Sequence, residues 1–245
     1  MVAGLAGRFA AAPSVSLRSG ACALIGGVLF DFGGTLDADG IPWKTRFFQL
    51  CHAEGLVADA ERFDRVFYAA DDALVGTIPA TLPFRDTVDR LAAGVTRALG
   101  GNEAVHARIA GRFVDEALER LRRNRPLLAR LSRRYRLGIV SNFYGNLVTV
   151  CHNVEIHAFF SVIVDSERVG CSKPDPRIFQ NALDELGLAP TDAVFVGDSL
   201  PRDMAGARAV GMRHIWLVGE AAPGVPCCPD DRVLHSLAEL EGALT

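Results

Sequence analysis

Residues Val28–Asp37 read VLFDFGGTLD. Three apolar residues run into a carboxylate, and the segment FGGTL separates it from a second one. An unalternating apolar run is what a strand needs when both faces of its sheet are covered. Asp31 then stands at the strand's carboxyl end, the edge of an open parallel sheet where ligands gather. A local alternative also exists, in which Asp31 bonds its own backbone and simply closes a turn. The stretch alone leaves both readings open.

Working outward, apolar runs of strand length recur at Ile25–Phe32, Leu137–Val140, Phe159–Val164, Ala193–Val196 and His214–Val218. Helical spacing occupies Arg177–Leu186 and Met204–Val210, closed by Gly187 and Gly211. Alternating strands and helices predict an α/β core, a Rossmann-like, doubly wound parallel sheet. The alternation stops between residue 38 and about residue 125. There the pattern predicts helices only, over Trp43–Glu54, Ala60–Leu74, Phe84–Leu99 and Glu103–Arg122. Asp59 and Pro83 are start signals, and Gly55 and Gly100-Gly101 are stop signals. The expected organisation is a core of residues 21–37 and 126–245, an inserted all-helical module over 38–125, and a disordered extension over 1–20.

The composition narrows the functional classes. The chain has 245 residues, 49% hydrophobic and 22% charged, with a formal net charge of −3. That balance offers no general attraction for nucleic acid or an anionic membrane. No window has the roughly 20 unbroken apolar residues of a membrane span. Residues 1–27 contain no acid and only Arg8 and Arg18 as bases, but no apolar run of secretory length follows Arg8. The six cysteines form no CxxC pair and no zinc spacing, and the adjacent Cys227 and Cys228 cannot easily bridge to each other. They are expected to be reduced thiols in a cytoplasmic protein, monomeric or homodimeric.

Four expected strand ends carry polar residues of complementary type. They are Asp31 with Thr35, then Ser141-Asn142, then Cys171-Ser-Lys-Pro-Asp-Pro176, then Gly197-Asp198-Ser199 with Asp203. Singly, each has a structural explanation as a cap, a turn or a solvated base. Together they suit phosphoryl transfer. A carboxylate can act as nucleophile, two carboxylates supply the hard oxygens Mg²⁺ prefers, and a hydroxyl with a lysine can hold phosphoryl oxygens. Only Lys44 and Lys173 are lysines among 26 basic residues. Keeping one of them in SKPDP suggests a place for a compact ammonium charge.

DFGGTL, VSN, SKPDP and GDSLPRD, in this order, resemble motifs one to four of the haloacid dehalogenase superfamily. The resemblance covers about residues 25–220 and likens the helical insertion to that superfamily's C1 cap. It implies an enzyme in which Asp31 is the nucleophile and Ser141 binds the phosphoryl group, with Thr35 and Asn142 beside it. It implies that Lys173 steadies nucleophile and phosphate. Mg²⁺ would be held by Asp31, Asp198 and the Gly33 backbone carbonyl, with Asp203 supporting the site. The implied substrate is a small-molecule phosphate ester.

The sequence departs from the phosphatase pattern at Gly33, where a second aspartate usually acts as general acid and base. Proton transfer of that kind contributes about 10²- to 10⁴-fold. Three readings follow: a phosphatase acting on an easy leaving group, a C–halogen hydrolase that needs neither the second acid nor Mg²⁺, and a binding or regulatory protein that has lost turnover. The intact carboxylates at Asp198 and Asp203 favour the first. Trp43, Lys44 and Arg46 lie close enough to motif one to face the cleft, though core packing for Trp43 and solvation of the two bases explain them equally simply. Phe47, Phe63, Phe67 and Phe113 are expected to pack the helices together.

Overall fold

Six parallel strands form one sheet in the order β3-β2-β1-β4-β5-β6. They are β1 (Gly27–Phe30), β2 (Arg136–Ser141), β3 (Val162–Asp165), β4 (Ala193–Gly197), β5 (Arg213–Leu217) and β6 (Arg232–Leu234). The computed structural model describes residues 25–219 and 232–244. The extension expected over residues 1–20 lies outside them, as do Cys22, Cys227 and Cys228. The first strand is shorter than its apolar run suggests, and the third starts later. β6 has only three residues and no sequence signal of its own.

β1 is fully buried. Val28 and Phe30 face one core layer while Leu29 faces the other. Its neighbours on the two sides are β2 and β4. The chain therefore runs from β1 outward to β3, then crosses back to β4 on β1's other side. This reversal brings the carboxyl ends of β1, β2 and β4 together at the sheet's switch point.

Between β1 and β2 lie only helices: α1 (Trp43–Ala53), α2 (Ala60–Asp72), α3 (Phe84–Ala98) and α4 (Glu103–Leu131). Asp59 caps α2 by accepting from the Arg62 N–H at 2.7 Å. Asn102 caps α4 through the Val105 N–H at 3.0 Å. Phe47, Phe63, Phe67 and Phe113 pack these helices as expected, with Phe47 stacked on Phe113 at 4.5 Å between ring centres. This layer is continuous with one face of the sheet, because Phe32 meets Phe84 and Phe143 edge to face.

One boundary is corrected. α4 does not end at Arg122 but runs on to Leu131, carrying Pro126 in its interior, so the expected junction at residue 126 falls inside a helix. An interior proline costs about 3 kcal/mol. Burial of Leu127, Leu128 and Leu131 offsets that cost. Asn124 adds a hydrogen bond to the Leu36 carbonyl at 3.1 Å, tying the helix to the turn after β1.

After β2 come α5 (Leu147–Asn153), α6 (Ser166–Val169), α7 (Pro176–Leu186), α8 (Ala205–Ala209) and α9 (Leu240–Ala243). Helices α7 and α8 cover the second face of the sheet through Ile178, Phe179, Leu183 and Ala207. Gly187 ends α7 in the left-handed conformation, at φ +61°. Among the described residues no helix is long and apolar enough to cross a membrane, and Cys51, Cys151 and Cys171 are free.

Candidate active site

Asp31 does not close a turn on itself. Its Oδ1 accepts the Ser141 hydroxyl at 2.8 Å and the Lys173 ammonium at 2.6 Å. No hydrogen bond reaches its Oδ2 among the described residues, and Asp31 lines a cavity of about 390 Å³. The turn is closed by Asp37, whose Oδ1 accepts the Gly34 N–H at 2.7 Å. The two carboxylates of VLFDFGGTLD thus divide the two roles that the sequence left open for Asp31.

Lys173 is buried between two acids, with its ammonium also 2.8 Å from Asp203 Oδ1. Burial pulls its pKa down, but the charges of Asp203 and Asp31 outweigh that and hold it above the ordinary lysine value. Lys173 stays a cation throughout the physiological range. Asn142 sets its position by a reciprocal pair: the Lys173 N–H donates to Asn142 Oδ1 at 2.7 Å, and Asn142 Nδ2 donates to the Lys173 carbonyl at 3.1 Å. The Asn142 amide, expected at the substrate, is occupied in holding the lysine loop, although the residue lines the cavity.

Asp198 follows β4, and its backbone carbonyl accepts from the Trp216 indole at 2.9 Å. Thr35 is fully buried and turns its hydroxyl toward Asp198 Oδ1 at 3.4 Å. Burial, with the charges of Asp31 and Asp203, lifts the Asp198 pKa well above the usual carboxylate range. The Asp203 pKa is raised by burial and by Asp31, against the opposing pull of Lys173. Asp203 also accepts the Ser199 N–H at 3.0 Å, which fixes the loop carrying Asp198.

Carboxylate oxygens of Asp31, Asp198 and Asp203 lie within 4.8 Å of one another. Three acids with one lysine gather more acidic groups than bases on hard oxygens, and burial, with the charges of Asp31 and Asp203 behind it, raises the Asp198 pKa. A small divalent cation with oxygen preference fits this donor set.

The two glycines of the turn differ. Gly34 has φ +98°, and a Cβ there would sit 2.5 Å from Asp198 Oδ2, so both conformation and space demand glycine. Gly33 has φ −78°, open to any residue. What fills its side-chain space is Trp43, whose Nε1 would lie 3.1 Å from a Cβ. The indole is fixed in turn by donating to Asp37 Oδ2 at 2.7 Å.

Of the three residues after motif one, Trp43 and Lys44 line the cavity. Lys44 is tied to Asp64 on α2 at 2.7 Å. Arg46 is neither solvated nor in the cleft. It is buried, 3.2 Å from Asp37 Oδ2, donates to the Phe113 carbonyl at 2.7 Å and lies 3.7 Å over the Phe113 ring. Sequence reasoning missed Asp37 as a buried anchor, and it missed Asp71, Tyr144 and Arg202, which also line the cavity. A second acid closing the opening stretch was the one available signal for Asp37.

A carboxylate nucleophile candidate at the switch point of a doubly wound sheet, with a buried lysine and two further acids, defines a hydrolase. Residues 25–211 match the family model for haloacid dehalogenase-like hydrolases, and the chain belongs to that family. It is 40% identical over 113 residues to the Bos taurus haloacid dehalogenase-like hydrolase domain-containing protein 3, covering 44% of this chain and 45% of that protein. It is 35% identical over 161 residues to a phosphoserine phosphatase of Thermus thermophilus, covering 62% of this chain and 61% of that enzyme. The matched stretch thus spans less than half of the mammalian relative. Among solved structures, a dehalogenase with an intermediate complex shares the fold at TM-score 0.62 and 20% identity, over 90% of this chain and 97% of that one. A Bacillus subtilis HAD-hydrolase bound to magnesium does so at TM-score 0.54 and 18% identity, over 91% of this chain and 99% of that one.

Proposed function

We propose that the protein is a Mg²⁺-dependent phosphatase of small phosphate monoesters that works through an aspartyl-phosphate on Asp31. The observation that carries this reading is the Asp31 carboxylate. One oxygen is held by Ser141 and Lys173, and the other is left without a hydrogen bond at the cavity wall. Fixing one oxygen orients the carboxylate and leaves the second to attack. Asp31 Oδ2 forms a bond to phosphorus as the ester oxygen departs with its electron pair. Water then cleaves the acyl-phosphate and regenerates the carboxylate. The Ser141 hydroxyl and Lys173 ammonium, at 2.8 and 2.6 Å from Asp31 Oδ1, are the donors that would take the phosphoryl oxygens.

Asp31, Asp198 and the Gly33 carbonyl would hold Mg²⁺, with Asp203 positioning the Asp198 loop and Lys173. The ion when bound would neutralise phosphoryl charge. The names of relatives support the substrate class: the Thermus phosphoserine phosphatase, and a glyceraldehyde 3-phosphate phosphatase of Methanopyrus kandleri that is 49% identical over 57 residues, 23% of this chain and 24% of that enzyme.

The indole over Gly33 leaves that position without an acid for the leaving group. Aryl phosphates should therefore be hydrolysed much faster than simple alkyl phosphates, on the order of the 10² to 10⁴ that acid catalysis usually supplies. The test is phosphate release across a panel of monoesters, with and without Mg²⁺. Full turnover of a 2-haloacid in excess chelator, with no phosphate released from any ester, would overturn the reading in favour of a dehalogenase.

A further inference from the structure

The phosphoryl end of the cavity comes from the sheet, and the opposite chemistry comes from the helical insertion. Pro42, Trp43, Lys44, Phe67, Tyr68 and Asp71 supply that wall. Asp71 is the one carboxylate it contributes among the described residues. It sits at the end of α2, half-buried, and the Tyr144 hydroxyl from the loop after β2 donates to its Oδ1. No hydrogen bond reaches its Oδ2 among the described residues. Lys44 is bonded to Asp64 at 2.7 Å and makes no hydrogen bond to Asp71. The other groups acting on it are Asp72, its neighbour on α2, and Arg202, an exposed cation on the loop before α8.

A carboxylate held through one oxygen, with the other unbonded beside a small-molecule cavity, is free to accept from a ligand. A purely structural bridge from α2 to the core would need only the oxygen that Tyr144 uses. Burial raises the Asp71 pKa, against the pull of the Tyr144 hydrogen bond, while the Tyr144 hydroxyl is pushed well above its ordinary value and stays a donor. At about 390 Å³ the cavity falls at the small end of ligand sites, room for a phosphoryl group and a short alcohol. The aromatic faces of Trp43, Phe67 and Tyr68 suit the carbon skeleton of that alcohol, and they carry no second acceptor carboxylate.

We infer that Asp71 and Tyr144 form the specificity site for the leaving alcohol, selecting phosphate monoesters that bear a further hydrogen-bond donor, a hydroxyl or an ammonium group, a few atoms from the phosphoryl oxygen. This rests on the phosphatase reading and deepens it to a substrate class: amino-alcohol and polyol monophosphates over alkyl monophosphates.

The experiment compares ethyl, 2-hydroxyethyl and 2-aminoethyl compounds, as phosphates for kcat/KM and as non-hydrolysable phosphonates for calorimetric binding. Ratios are taken within each protein, so a loss of folded enzyme cancels. Wild type should favour at least one donor-bearing compound over its ethyl counterpart by about tenfold, the gain expected of a hydrogen bond to a charged acceptor. Asp71→Asn keeps an amide oxygen for Tyr144 but turns the other position into a donor, and the ratio should fall to about one to two. Equal binding of the three phosphonates by wild type would overturn the inference, as would a preference that survives Asp71→Asn. A binding preference that disappears in Asp71→Asn, in a protein that releases phosphate neither from these esters nor from an aryl phosphate, would overturn the phosphatase reading and leave the Asp71 assignment standing.

Discussion

Asp31 and Asp37 leave the same strand separated only by the turn FGGTL, and both are buried, at 6% and 0% exposure. Asp37 has a full set of partners: the Gly34 N–H, the Trp43 indole and the Arg46 guanidinium. Its pKa is still raised, because desolvation outweighs the pull of Arg46. Asp31 has partners on one oxygen only and opens to the cavity. A carboxylate enclosed by donors holds the backbone in place, and one with an oxygen to spare is available for chemistry. Neighbours in sequence thus sit in different settings, one enclosed by donors in the scaffold and one at the cavity wall.

The largest effect expected from that contrast is on turnover. Asp31→Asn should lower phosphate release at least about 10³-fold, as loss of a nucleophile does elsewhere, with a smaller loss of stability than Asp37→Ala because Lys173 keeps Asp203 at 2.8 Å. Residual activity within tenfold of wild type would remove Asp31 from the role.

Asp37→Ala should do the reverse to the protein's stability. It strands the buried Arg46 charge, and breaking one side of a buried pair typically costs about 3–5 kcal/mol. Urea denaturation would measure it. A loss below about 1 kcal/mol would show that the Phe113 carbonyl at 2.7 Å and Glu116 at 3.7 Å are sufficient partners for Arg46.

Between these extremes stands Asp198, a carboxylate with weak partners. Its folded pKa lies above its unfolded value of 3.8, so the stability it contributes is complete below that value. That contribution is lost as pH rises from the unfolded value through the folded one. Mg²⁺ at about 100 times its dissociation constant should add about 2.7 kcal/mol, or about 5–10 °C in Tm. Asp198→Asn should stabilise the metal-free protein near pH 7 and remove most of the Mg²⁺ shift. A shift of the same size in both proteins would place the ion elsewhere.

The smallest effect concerns Gly33. Gly33→Asp meets no backbone strain, only the Trp43 indole at 3.1 Å. Overpacking of a few tenths of an ångström should cost about 1 kcal/mol, the lower end for small-to-large changes. The cost should shrink in a Trp43→Phe background, measured as a double-mutant cycle. In that background the new carboxylate should help alkyl phosphates more than aryl ones. Equal gains for both would mean that bond cleavage does not limit the rate.

What the sequence determined by itself was local in origin. Strand period, helix caps and polar residues at strand ends are properties of adjacent residues. They were enough to place Asp31, Ser141, Lys173, Asp198 and Asp203 on one edge of a parallel sheet and to mark an all-helical insertion. The tertiary structure decided everything that depends on burial and on pairs far apart in the chain. Pro126 lies inside a helix because the leucines beyond it are buried against the core. The space beside Gly33 is taken by an indole from the next helix. Arg46 is an internal ion-pair partner because Asp37 and Phe113 fold around it. Asp71 meets Tyr144 across 73 residues of chain, a contact no local period can signal. It arises only when the end of α2 comes to rest over the loop after β2, beside the cavity that both residues line.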